Sequence, residues 1–488
     1  MTLLETILLI VITILPFIKR WIFKFVKPLY CSICIGIIMG LHLLIDGYRW
    51  QMIPAYVMAL IVVWRIQTLN LQKPKRLSFL KILGFTSLLI IATLAWSVPK
   101  ILPVFSLPEP RGNYQVGTQD IHITTDRNEP ITKDSTDKRS FMCKIWYPSD
   151  QEVSSKKSEP YIDEASREGF ATKYGLPASA LNYLDHIKTY VYPNIAVANK
   201  KFPVLIFSHG YGSKATGYYA LLTEIASQGY IVVNMNHTYE SLGTTYPDSS
   251  KAFFDYDFQR SISADAMSTI EPIAKAFKSN LSYEQRHPIV KKAIAHYFEG
   301  NIQNRWAADI ISVLDLLESW NAEGTFKDHL DLNKIGVLGH SVGGGTAGNV
   351  AMKDSRIKAA ANLDGIQWGT MIDSTYQIPY LYISADWPAD HEDINSHIYI
   401  NKSHDYFYEA KLLNSGHPNF MDIPFMIPVP DLAGTGTIDP YLGMEIVTKT
   451  VLTFFDKHLK NQVDANPQDL ANQYELLEMQ TFKGDSIR

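Results

Sequence analysis

Residues 334–345 read KIGVLGHSVGGG, and their reading decides the fold. An apolar run gives way to Gly339-His340-Ser341-Val342-Gly343 and then to two further glycines, so a strand, a tight turn bearing a serine and a helix start follow one another. The G-x-S-x-G pattern alone says little, because a chain of this size yields one by chance with a probability of roughly 0.1 to 0.2. Its setting carries the weight. A nucleophilic serine must project from a sharp strand-to-helix turn in which side chains at the flanking glycines would clash, and the helix start adds positive partial charge beside the hydroxyl. No Lys-Ser/Thr pair follows the glycines, which sets aside a phosphate loop.

Outward from this turn, strands alternate with helical stretches. Pro203 to Ser208 (PVLIFS), Tyr230 to Met235 (YIVVNM), Lys334 to Leu338, Ile357 to Leu363 (IKAAANL), Pro379 to Ser384 (PYLYIS) and Tyr406 to Leu412 read as strands, with Ser140 to Tyr147 as a half-buried one. Ala220 to Gln228, Asn304 to Trp320 and Leu442 to Leu459 read as helices. This order predicts an α/β fold with a mostly parallel sheet covered by helices on both faces. The stretch Thr244 to Asn304, rich in Tyr, Phe, Lys and Asp, reads as an insertion, either a lid over the strand ends or a solvated helical excursion.

A serine needs a base, and the base an orienting carboxylate; in this topology they follow the serine as acid and then histidine. Asp364, at the end of the next strand, and Asp386, at the end of the one after, are rivals for the acid. His417 falls on a loop just past a strand and is the candidate base, whereas His391, His397 and His404 sit in a polar stretch and read as surface histidines. Oxyanion donors are expected from the backbone N–H of Val342 and of Tyr211 in the Gly-rich Ser208–Gly212 loop. His209 and His237 are candidates for pocket lining or for holding that loop. No H-E-x-x-H and no paired Cys/His spacing is present, so neither metal nor cofactor is expected.

The chain has 488 residues, enough for two units, and its charge is split. The first hundred residues stand at +9 and the remainder at −13, so the larger part is a poor nucleic-acid binder. Four apolar runs, roughly Leu3 to Ile18, Leu29 to Ile45, Met52 to Trp64 and Ile82 to Val98, predict an all-α transmembrane bundle over 1–100. Basic residues cluster after the first run (Lys19, Arg20, Lys24, Lys27) and the third (Arg65, Lys73, Lys75, Arg76), which places those loops inside and the large part outside a cell membrane. If the third run is only interfacial, the parity reverses. No small-residue cleavage site follows the first run, so the spans are expected to stay, and no buried charged pair suggesting transport is expected among them. A Pro-rich linker, 101–111, then leads to a catalytic domain over 112–488 with its insertion around 244–304.

The segments VLIFSHGYG, YIVVNMNH, DLNKIGVLGHSVGG, NLDG, PYLYISAD, GHPNF and FFDKHL together resemble the bacterial-type platelet-activating-factor acetylhydrolase-like family of the α/β-hydrolase superfamily. The resemblance covers most of 112–488 and implies an α/β-hydrolase fold with Ser341 as nucleophile, Asp364 as acid and His417 as base, favouring Asp364 over Asp386. It implies calcium-independent cleavage of short or oxidised acyl chains from phospholipids. The four-span N-terminus and the insertion depart from the family pattern. A broad carboxylesterase or polyester hydrolase, a serine peptidase and a catalytically silent membrane-anchored binding module are the other readings.

Overall fold

The computed structural model describes residues 1–68, 79–279, 281–388, 394–399 and 405–483, so His391, His404, Lys73, Lys75 and Arg76 lie outside the described residues. The chain divides into two compact units.

The first unit comprises residues 1–105 with two later segments, 179–187 and 426–429. Its helices are Leu3–Ile22, Pro28–Ile45, Ile53–Gln67 and Phe79–Ile101. A capping box starts the first: the Thr2 hydroxyl accepts from Glu5 N and the Glu5 carboxylate accepts from Thr2 N. Proline at the start of the second and third supplies a helical φ where no N–H is needed. Leu8, Leu9, Ile12, Ile35, Met58, Ala59, Val62 and Ala95 pack together inside, yet Phe17, Leu44, Leu60 and Trp64 are exposed. The helices over Pro28–Ile45 and Leu83–Ile101 are long and apolar enough to cross a bilayer by length and composition.

A buried charged pair is nevertheless present in this unit, against expectation. The Arg49 guanidinium donates to Glu5 at 2.7 Å, and both side chains are fully buried. Arg49 also donates to the Leu102 carbonyl, while His42 bridges Asp46 and Tyr56. The pair joins positions 44 apart in the chain, so no local pattern announces it.

In the second unit, a ten-stranded sheet has the order β12-β11-β10-β9-β8-β4-β5-β2-β1-β3. Its strands are β1 Gln115–Asn128, β2 Lys138–Ser149, β3 Val191–Pro193, β4 Phe202–Ser208 and β5 Ile231–Asn236, followed after a small hairpin (β6 Gly243–Thr245, β7 Lys251–Phe253) by β8 Leu330–His340, β9 Ile357–Leu363, β10 Tyr380–Ser384, β11 Tyr406–Leu412 and β12 Leu477–Lys483. From β5 through β4, β8, β9 and β10 to β11 every pairing is parallel; antiparallel pairs flank this block on both sides, and the short β3 runs parallel to β1 at one edge. The buried runs Val204–Phe207 and Ala359–Ala361 are apolar throughout because helices cover both sheet faces. β1 and β12 were not read from sequence: their alternation is diluted by polar residues, as befits strands solvated on one face. The insertion is mostly helical, with helices Tyr256–Ile262, Ala266–Lys278 and Tyr283–His296 leading into the long helix Phe298–Ala322.

Parallel pairing aligns the carboxyl ends of neighbouring strands. Ser208 is registered with Gly339, Gly339 with Asn362 and Leu363 with Ile383. The segments that follow these positions therefore emerge side by side at one edge, which is where open α/β sheets build their sites.

Candidate active site

Ser341 occupies the turn between β8 and the helix Val342–Lys353 with φ 58° and ψ −127°, a conformation that costs an L-residue about 1–3 kcal/mol. Its neighbours permit it. A Cβ on Gly339 would lie 2.2 Å from the Gly343 carbonyl oxygen, and one on Gly343 2.1 Å from that of Ser208. The glycines are thus required by close backbone approach, and the serine is lifted off the strand end.

Asp364 follows β9, also at positive φ (53°), with its side chain almost wholly buried. One carboxylate oxygen accepts from Ala385 N (2.8 Å) and the Trp387 indole (3.0 Å); the other accepts from His417 Nδ1 at 2.6 Å. Because the carboxylate accepts, His417 carries its proton on Nδ1 and its Nε2 is left to accept. Asp386 is exposed and instead accepts from Asn414 N, steadying the loop before His417. Asn419 accepts from Gly416 N and Gly436 N, so the asparagine of GHPNF fixes the loop that holds the imidazole.

The Ser341 hydroxyl makes no hydrogen bond among the described residues. The residue before the serine holds the His417 loop: the His340 ring lies 4.5 Å from that of His417, and His340 Nε2 donates to the His417 carbonyl at 3.1 Å. Since a carbonyl only accepts, His340 Nδ1 is the acceptor for the Tyr218 hydroxyl (2.9 Å), which in turn accepts from Gly210 N (2.9 Å). One phenol and one imidazole thereby tie the Ser208–Gly212 loop, the serine turn and the His417 loop. Burial pushes His340 well below the usual histidine range, keeping it neutral as this directional chain demands.

Val342 N is the first amide of its helix and has no intrahelical acceptor. Neither it nor Tyr211 N donates to another group among the described residues. The Val342 and Tyr211 side chains join one apolar cluster with Ile302 and Trp306. Gly212 N donates to the Glu240 carbonyl, holding the loop from its far side.

His209 and His237 are fully buried, so they support the loop and do not line an open pocket. His237 N donates to His209 Nε2; His237 Nδ1 donates to Asp309 and its Nε2 accepts from the Ser208 hydroxyl, each at 2.9 Å. The His237 ring stacks on Trp306 at 4.0 Å. Burial lowers both histidines, His209 to about 3. His397, expected at the surface, is buried and stacked on Tyr283. Sequence reading missed Tyr218, His340, Glu240, Trp306 and Asp309; only His340 stood inside a recognisable motif. Among the described residues no group of three His, Cys, Asp or Glu side chains could hold a metal ion.

A serine at a strand-to-helix elbow, with a histidine–aspartate pair on neighbouring strand ends of a largely parallel sheet, is the architecture of α/β-hydrolase-type proteins. The fold is also that of a ferulic acid esterase from Streptomyces cinnamoneus, with a TM-score of 0.57 at 23% identity over 74% of this chain and 94% of that one. The family model for platelet-activating factor acetylhydrolase, isoform II, matches residues 102–475, and the chain belongs to that family, which sets it among the carboxylic ester hydrolases. Relatives include the platelet-activating factor acetylhydrolase of Cavia porcellus, 26% identical over 72% of this chain and 78% of that protein. That of Gallus gallus is 28% identical over 55% of this chain and 65% of its own length. A probable 1-alkyl-2-acetylglycerophosphocholine esterase of Arthroderma benhamiae is 23% identical over 73% of this chain and 86% of that protein.

Proposed function

We propose that the chain is a membrane-anchored serine esterase that cleaves short or oxidised acyl chains from phospholipids through an acyl-enzyme. His417 Nε2 takes the Ser341 proton as the hydroxyl attacks the acyl carbonyl, Asp364 holds the imidazole in the tautomer this requires, and the Tyr211 and Val342 amides receive the oxyanion. His417 then returns the proton to the leaving alcohol, and water, activated by the same base, releases the acid. The observation that carries the reading is the 2.6 Å His417–Asp364 bond beside a serine held at positive φ, with two amides free to donate.

The activities of the relatives support acetylated glycerophospholipids as substrate class. Membrane anchoring in the cell membrane, with the catalytic unit extracytoplasmic, is supported by two helices of spanning length, by apolar side chains on the outside of the bundle and by the basic loops. The test is a fluorophosphonate probe with a lipid panel: wild type labels on the peptide containing Ser341 and releases acetate from a 2-acetyl glycerophosphocholine faster than long fatty acids from ordinary phosphatidylcholine. Labelling elsewhere, or Ser341→Ala turning over p-nitrophenyl acetate near the wild-type rate, overturns the nucleophile. Protease cleavage of the 112–488 part only after the inner face is exposed overturns the orientation.

A further inference from the structure

The helix Phe298–Ala322 packs one face against the site. Ile302 and Trp306 on that face pack with Val342; Gln303 donates to the Ile366 carbonyl at 2.7 Å and accepts from Trp368 N at 3.1 Å, gripping the segment just after Asp364. Glu299 sits one turn earlier, three and four residues before Ile302 and Gln303 and hence on the same face. Its carboxyl accepts from the Trp368 indole at 2.6 Å, and the next residue, Gly300, abuts Gly369. Glu299 also acts electrostatically on groups from two other elements, the Tyr211 phenol of the oxyanion loop and the His417 imidazole. Phe298, the residue before Glu299, packs with Tyr211, Ile302, Trp306 and Val342, so this turn of the helix lies against the serine elbow and the Tyr211 loop.

Neither the nucleophile, the base, the acid nor the two amides requires this group. Among the described residues its only hydrogen-bond donor is the Trp368 indole, and no Lys or Arg pairs with it.

We infer that Glu299 is a specificity-determining residue: its charge makes the site select esters that carry no negative group near the scissile carbonyl. Two like charges in a partly desolvated cleft repel far more than in water. Among truncated acyl chains, those ending in methyl, hydroxyl or aldehyde are accepted and those ending in carboxylate are rejected. The inference rests on Ser341 being the nucleophile and deepens that reading by naming the substrate class.

The selection is graded by pH. Burial raises the Glu299 carboxyl to about 7, with the Trp368 hydrogen bond and His417 pulling the other way; among the described residues the other titratable groups coupled to it are the phenols of Tyr211 and Tyr297. Rejection therefore strengthens as pH rises through that value.

Two ester pairs test it with full-length protein: p-nitrophenyl butyrate against mono-p-nitrophenyl succinate, and methyl 4-acetoxybenzoate against 4-acetoxybenzoate. Each pair is read as the ratio of kcat/KM, anionic over neutral, so that titration of the base cancels. In wild type at least one ratio falls about fivefold between pH 6 and pH 8. In Glu299→Gln, which keeps an acceptor for the Trp368 indole, that ratio rises about tenfold at pH 8 and by less at pH 6. Ratios that stay within twofold across pH in wild type, or between wild type and Glu299→Gln, overturn the inference. Because the wild-type pH series needs no variant, a Glu299→Gln protein that does not fold leaves the test standing. Failure of the underlying reading looks different: probe labelling absent from Ser341, whatever the ratios do.

Discussion

Among the described residues the second unit contains two Ser, His and Asp constellations. Ser208, His237 and Asp309 form a complete relay, with both hydrogen bonds at 2.9 Å and all three side chains fully buried. In Ser341, His417 and Asp364 the His–Asp bond is made at 2.6 Å, the serine hydroxyl is unpaired among the described residues and the imidazole is about a third exposed. Measured by hydrogen bonds alone, the buried set is the better triad. The difference lies in what surrounds each: the first serine ends a strand in regular backbone and its base stacks on Trp306, whereas the second stands on a strained elbow beside unpaired amides. A substrate carbonyl can reach only the second. Catalysis needs access and an oxyanion site as much as a relay, and the hydrogen bonds of the buried set hold the Ser208–Gly212 loop still.

The largest contrast is between the two serines. Ser341→Ala is expected to lower kcat for p-nitrophenyl acetate by about 10³-fold or more, leaving what binding and the oxyanion site alone provide. Ser208→Ala is expected to keep more than a tenth of wild-type turnover and all probe labelling. Labelled Ser208 peptide would reverse the assignment.

For the carboxylates, Asp364→Asn is expected to cost about 10³ to 10⁴ in kcat because the amide favours the wrong imidazole tautomer. Asp386→Asn, which touches only the loop, should cost less than tenfold; the reverse ranking in the same assay would move the acid. Asp309→Asn acts on stability. It leaves Arg139, fully buried and donating to Asp309 and Glu129, without its main counter-charge. A loss of about 3–5 kcal/mol follows, read as a lower urea midpoint of unfolding.

A smaller effect comes from acid. His209 titrates near 6.5 when unfolded and is lowered to about 3 by burial, so between those values the unfolded chain binds the extra proton. The stabilisation is complete above pH 6.5 and is lost as pH falls through the window, by about 2 kcal/mol at pH 5. His209→Asn should flatten the fall of Tm over that range; an unchanged slope would show that the ring is not held neutral in the fold. Smallest of all, Tyr218→Phe removes the hydroxyl that ties three loops and is expected to reduce kcat about three- to tenfold with KM little changed, as measured by steady-state kinetics.

Much of the architecture is legible locally. β4, β5, β9, β10 and β11 lie within a residue or two of their sequence reading because buried parallel strands are short apolar runs between turn residues. The outlying strands β1 and β12 escaped because one-sided burial weakens that signal. The elbow was legible for a similar reason: glycines at 339 and 343 are forced by backbone contacts that leave a fixed spacing in the chain.

The sequence by itself determined the α/β order, the elbow serine and the short set of acids and histidines able to serve it, since each depends on residues close together in the chain. Only the tertiary structure decided which acid meets His417, that His209 and His237 are buried supports, that Glu5 and Arg49 pair inside the helical unit, and that Glu299 bonds the Trp368 indole just beyond Asp364. Those outcomes depend on partners tens to hundreds of residues apart, whose meeting is set by strand register and helix packing, and a one-dimensional pattern carries no record of either.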